Sequence, residues 1–200
     1  MRIRPVILFV VLAGLLTFSA CKKTDSSEGF DVLNFSDDTT AAAQIVSQAN
    51  EDLNKIKVMY KKNEVQREEL IAAMSAKDAE KVKKITDDLV YLINDGIALG
   101  EGAVEKIVKA QQMNINPDFK EYLSLKEESL RKQLEAFESR RQAVRLLRDS
   151  FGTNDSALVE KAKQGLKDKE EDFAKMMEES KKISKKANDL AKESSKKTRE

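Results

Sequence analysis

Side chains able to do covalent or metal chemistry are scarce in this chain. It holds one cysteine, Cys21, and no histidine. A Ser-His-Asp triad and a Cys-His pair are therefore excluded. So are the Glu-x-x-His pairs of a di-iron centre and the axial histidine that haem iron usually takes. Zinc would lack its commonest nitrogen donor. Carboxylates are plentiful, with 35 acids against 36 Lys and Arg. Glu101 and Glu105 share one helix face at a four-residue spacing, but Lys106 and Lys109 stand beside them, the pattern of solvated surface ion pairs. No Asp-rich loop of the calcium-binding type occurs. The residue types predict no catalytic centre, metal or cofactor, and hence a non-enzymatic protein. The one side chain placed for covalent chemistry is the thiol of Cys21.

Cys21 closes the string Phe18-Ser19-Ala20-Cys21, behind an uncharged apolar run from Val6 to Leu16 and a cationic start at Arg2 and Arg4. These are the parts of a secretory signal. A bilayer-spanning helix needs about 20 apolar residues, so the run is too short for a good permanent anchor. Residues 1–21 resemble the lipobox-type signal peptide of bacterial lipoproteins, with Phe18 where Leu is usual. The resemblance implies cleavage after residue 20, lipid attachment at Cys21, and an extracytoplasmic place on a membrane of the cell envelope. Lys22, where Asp commonly retains a lipoprotein in the inner membrane, favours the outer membrane if the organism has one. Two or more acyl chains hold a protein stably where one does not, at about 0.8 kcal/mol per buried methylene. An ordinary signal cut near Ala20 would instead leave a free thiol.

Without residues 1–20 the net charge falls from +1 to −1, so no general bias toward nucleic acid remains. Charged residues make up 36% of the chain and aromatics 6%, with no Trp and two Pro, a profile of long helices. Cys21, committed to lipid, leaves no thiol for an intramolecular disulfide.

The elements follow from this pattern. Residues 21–36 read as the lipidated N-terminus and a tether, spanning about 20 Å as a flexible coil. Residues 37–193 read as four helices of nearly equal length, and residues 194–200 as a basic tail. The first helix is predicted over Thr40–Met74. A capping box at Ser75-Ala76-Lys77-Asp78 starts the second, which reaches about Met113. Asn116-Pro117-Asp118 starts the third with a cap, a first-turn proline and an acid in the positive first turn. Gly152 is expected to end that helix in the left-handed region. Thr153 to Asp155 cap the fourth, which runs to about Lys192. Apolar stripes at alternating three- and four-residue spacing (Val82, Ile85, Leu89 and Leu92; Phe173, Met176, Ile183 and Ala187) give each helix a core face, and only Lys169 and Ser180 interrupt the last one. Short connectors force antiparallel neighbours, so the expected fold is all-α: an up-down-up-down four-helix bundle, or extended hairpins or a coiled coil completed by a second copy. At an offset of 77 residues Tyr60 falls on Phe137 and Asp78 on Asp155, but a multiple of seven aligns heptads without any duplication.

Three features bear on function. Residues 181–200 carry eight Lys and Arg against three acids. Lys192, Lys196, Lys197 and Arg199 are candidate contacts for anionic headgroups or an envelope polymer, unless they only complement the helix dipole. Gly96, Gly100 and Gly102 fall within seven residues of one helix. They either make room for bulky neighbours, or kink the helix at Asp95-Gly96 and open an apolar pocket with Tyr60, Phe137 and Phe173. Arg67, Asp88, Arg141 and Lys169 fall at one level and are expected to form an ionic layer that fixes register. Two functions follow. One is a membrane-anchored envelope lipoprotein that acts as an interaction or structural module for an unidentified protein partner, with a tip built from the Ser75 and Gly152–Asp155 turns. The other is an apolar-ligand or lipid carrier using the glycine pocket.

Overall fold

The computed structural model describes residues 38–62, 64–153 and 155–197. The predicted signal peptide, Cys21, the tether and Arg199 lie outside the described residues. Those described form five helices and no strand: α1 (Asp38–Lys62), α2 (Glu64–Ala76), α3 (Ala79–Gln111), α4 (Pro117–Phe151) and α5 (Ser156–Lys197). The first predicted helix is thus described as α1 and α2, on either side of Asn63.

The turns show which local signals govern. Asn116 caps α4 as expected, its side-chain oxygen accepting from the Asp118 N–H at 2.7 Å, with Pro117 in the first turn. The cap expected at Ser75 lies three residues later. Ser75 stays in α2, donating to the Ile71 carbonyl, while the Asp78 carboxylate accepts from the Lys81 N–H at 3.0 Å and caps α3. Lys77 takes up the reversal at φ 56°. Its N–H reaches the Met74 carbonyl at 3.2 Å and the Asp78 N–H reaches Ala73 at 3.0 Å, the paired bonds of a Schellman ending. Gly152 is not left-handed, with φ −83° and ψ −2°. There Thr153 satisfies the Ser150 carbonyl with its N–H at 3.2 Å and its hydroxyl at 2.8 Å, so the helix stops without a positive φ. Asp155 caps α5 through the N–H groups of Ala157 and Leu158.

Long-range bonds give the directions of the helices. Asp38 and Asp52 of α1 meet Asn114 and Lys106, beyond and near the end of α3. Asn94 and Asp87 of α3 meet Arg141 and Arg148 of α4. Asp118, Ser129 and Arg140 of α4 meet Ser194, Ser180 and Glu170 of α5. Each step along one helix runs back along its partner, so α1, α3, α4 and α5 are antiparallel in turn. The start of α1, the end of α3, the start of α4 and the end of α5 consequently gather at one end, called here the shared end. At 1.5 Å per residue the 33 residues of α3 carry the fold about 50 Å from it.

Three apolar clusters fill the interior. At the shared end Ala42 and Ala49 of α1, Ala103 and Ile107 of α3, Leu123 of α4, and Ala187 and Ala191 of α5 pack together. Alanines let the backbones approach closely there. In the middle Ile93 and Ile97 meet Phe137, Val144 and Phe173. At the far end Leu70, Val82, Leu147 and Ala162 join all four directions of chain. Full burial of a side chain such as Leu123 or Leu147, both 0% exposed, stabilises by about 2 kcal/mol. Helix α3 buries Val90, Ile93, Ile97 and Val104 besides the predicted stripe, because it packs on α1 and α2 on one side and α4 on the other.

Candidate functional site

The basic end of α5 is built on helix. α5 continues through Lys197, about one turn past the expected end. Its inner face is pinned: Ala191 and Ser194 are buried, and the Ser194 hydroxyl donates to the Asp118 carboxylate at 2.9 Å. Lys192 and Lys196 therefore stand on the exposed face. Lys197 is the last described residue of the helix, with its side chain outside the description. The α3–α4 turn adds exposed Lys109 and Lys120 beside this helix end. Lys126 caps the Tyr122 ring at 5.4 Å and donates to Asn50 at 3.3 Å, neutral partners that leave its charge uncancelled. Across the whole shared end, residues 38–52, 106–128 and 181–197 hold eleven lysines and nine acids. At the far end, residues 65–90, 140–151 and 155–172 hold thirteen of each sign.

The three glycines of α3 differ in what they face. A Cβ on Gly100 would lie 2.5 Å from Leu134 Cδ2, so this glycine makes room for a leucine of α4. Leu134 in turn packs on the cluster that holds Phe137 and Phe173, whose rings lie 5.5 Å apart at 54°. Gly96 is buried with no heavy atom of the described residues within 4 Å of its would-be Cβ, and Gly102 meets only the Lys106 ammonium at 3.9 Å. Tyr60 lies in α1, its side chain outside the description. The structure brings Phe137 and Phe173 together as core, with Leu134 filling the space beside Gly100. Two hollows lie elsewhere, at the far end. One, of about 320 Å³, is an open groove between α2 and α5 lined by Ile71, Met74, Ser75, Lys163 and Leu166. The other, between α2 and α3, is lined mostly by charged side chains including Glu69, Asp78, Lys81 and Asp88.

The expected ionic layer does not assemble. Arg67 and Asp88 are exposed, Arg141 turns to Asn94 at 2.9 Å and to Glu138, and Lys169 approaches Asp172 on its own helix at 3.9 Å. Their levels agree along the axis but their faces do not. The inter-helix ion pair of this region is instead Arg140–Glu170. Its two bonds measure 2.6 and 2.5 Å, and the guanidinium sits 3.7 Å over the Phe173 ring. A fork-on-carboxylate pair with an aromatic floor fixes both distance and rotation of α4 against α5. Sequence spacing also hid a hydroxyl network. Ser129 meets Ser180 at 2.9 Å and Ser184 at 2.6 Å, and Gln133 donates to Ser180 at 2.9 Å. The signal was Ser180 itself, the small polar residue that interrupts the α5 stripe.

Asp52 is the most buried carboxylate among the described residues. It is 9% exposed and accepts from Lys106 at 2.6 Å and Lys55 at 2.9 Å. The Lys106 bond first, then that of Lys55, holds its carboxyl below the ordinary aspartate value. It clamps α1 to α3. Among the described residues no group of three His, Cys, Asp or Glu side chains is placed to hold a metal ion, and no helix is long and apolar enough to cross a membrane. Set beside family models, curated proteins and solved structures, the chain finds no match.

Proposed function

We propose that this protein is a lipid-anchored component of the bacterial cell envelope, acylated at Cys21, extracytoplasmic, and seated on the outer membrane where there is one. It acts without catalysis, as a protein-interaction or structural module that holds helix faces and turns away from the bilayer. In this reading α1 with α2, then α3, α4 and α5, make the four members of an up-down-up-down bundle.

The observation that carries this reading is the placing of the chain's ends. Asp38 meets Asn114, and Asp118 meets Ser194, so α1 begins where α5 finishes. Sixteen residues, 22–37, separate Cys21 from that end. A lipid at Cys21 would hold the shared end near the membrane and project the opposite end about 50 Å outward. At that projected end Ile71, 58% exposed, lines the groove between α2 and α5, and Leu158 is 45% exposed. Exposed apolar side chains around a groove suit contact with another protein.

The test is crosslinking and purification of the tagged protein from its native envelope, with Cys21→Ser as control. A stoichiometric protein partner that is lost or reduced in the control is the expected result. Recovery alone, equally from both, would contradict an anchored interaction module.

A further inference from the structure

Opposite their core side, α1 and α2 carry an exposed apolar stripe. Ala49, Ile56 and Leu70 are buried and fall at multiples of seven, so one helical register runs through both helices. Glu51, Val58, Val65 and Ala72 form a second series of sevens, about 200° round from that core line at roughly 100° per residue. All four are exposed, Val58 at 54% and Val65 at 62%. Valine is a poorer helix former than alanine, so two in line on a solvent face do not serve the helix itself.

The charges beside this stripe are ordered along it. Residues 53–61 hold Lys55, Lys57 and Lys61 and no acid. Residues 65–76 hold Glu68 and Glu69, with their one cation, Arg67, about 200° round from Val65. Neither acid has a Lys or Arg three or four residues away on its own helix, where an intrahelical partner would stand. Glu69 borders a hollow with Lys81 and Lys84 of α3, yet Lys61, Glu68 and Glu69 form no ion pair with a described residue.

We propose that this face binds the same face of a second copy, antiparallel, about a twofold axis at Val65. Val65 then meets Val65 of the second copy, Val58 meets Ala72, and Lys61 meets Glu69, each contact made twice. Glu51 lies beyond the last matched pair. A parallel arrangement would set Lys61 against Lys61 and Glu69 against Glu69, so charge selects the antiparallel one. The contact is isologous and closes on itself as a dimer. One helix pair is a small interface, so the dimer is weak and forms at high micromolar concentration. Val65 lies about 40 Å along the fold from the start of α1, so the copies join by their far halves with their first residues pointing apart. The groove beside Ile71 and Met74 lies on another face and stays open. The pairing does not depend on the anchored reading.

The test uses the full chain with Cys21→Ser, which removes the one native thiol and keeps the result separate from the anchor. Sedimentation at rising concentration should show a dimer; a monomer throughout would overturn the proposal with no further variant. In that background Val65→Cys should oxidise to a disulfide dimer at least about tenfold faster than exposed Tyr91→Cys, because pairing raises the local thiol concentration. Val58→Cys and Ala72→Cys should each crosslink slowly alone and quickly when mixed. Lys61→Glu or Glu69→Lys should slow the Val65→Cys reaction severalfold, and mixing the two charge variants should restore it, since each then meets its opposite. Val65→Cys no faster than Tyr91→Cys, or Val58→Cys faster with itself than with Ala72→Cys, would overturn the antiparallel pair. Failure of the mixed charge variants to recover would overturn the Lys61–Glu69 register.

Discussion

Asp52 shows how single residues hold this fold. Its carboxylate lies between α1 and α3 with two ammonium partners, and these depress its pKa in the folded state. A depressed carboxylate contributes stability that is present above its unfolded value, about 3.9, and is lost as pH falls through the lower folded value. Lys106 is 35% exposed, so solvent screens part of the interaction. Asp52→Asn should therefore lower the unfolding free energy by about 1 kcal/mol at neutral pH. The loss should shrink as the pH falls through the lowered folded value, where the wild-type carboxylate takes up its proton. Urea unfolding at the two pH values measures this. A loss of equal size at both would show that the charge on Asp52 contributes nothing. The identity of its partner was not legible from the chain, because Lys106 is 54 residues away and meets Asp52 only once α1 and α3 are packed.

At the scale of the element, the glycines of α3 separate packing from pocket. Gly100 touches Leu134, whereas Gly96 meets no described atom. Gly96→Ala should raise stability by roughly 0.5–1 kcal/mol through helix propensity alone. Gly100→Ala should lose that gain or reverse it, since Leu134 must shift by about an ångström to admit the methyl group. Thermal melts of the two variants decide this. If both stabilise equally, Leu134 does not occupy the space beside Gly100. The same scale shows what was legible. Asn116-Pro117-Asp118 was read correctly because all its bonds are local. Ser75 was misread because Asp78, at the far end of the same tetrad, is a cap in its own right and Lys77 supplies the reversal that glycine usually supplies. Gly152 was misread for the complementary reason, as Thr153 does there what a left-handed residue would do. The second apolar face of α3 was missed because one stripe suffices for a helix with one neighbour, and α3 has several. Arg140–Glu170 and the Ser129–Ser180 network depend on rotation about the helix axes, which level counting ignores.

For the whole molecule, the all-helical class was legible from periodicity. The proposed function depends on joining two things: an address proposed from residues 1–21, outside the described structure, and a fold whose first and last helices meet at one end. Chain ends gathered at one end and a groove lined by Ile71, Met74 and Leu166 at the other suit a module anchored through its first residues. That account fails if residue 21 bears no lipid, for the tether would then hold nothing to the membrane. The most direct measurement is the intact mass of the protein extracted from its native envelope, with the N-terminal fragment sequenced. The account predicts a chain that begins at Cys21 and carries acyl chains, recovered with the membrane fraction. A chain beginning at Cys21 with a free thiol, or found in the soluble fraction, would contradict it.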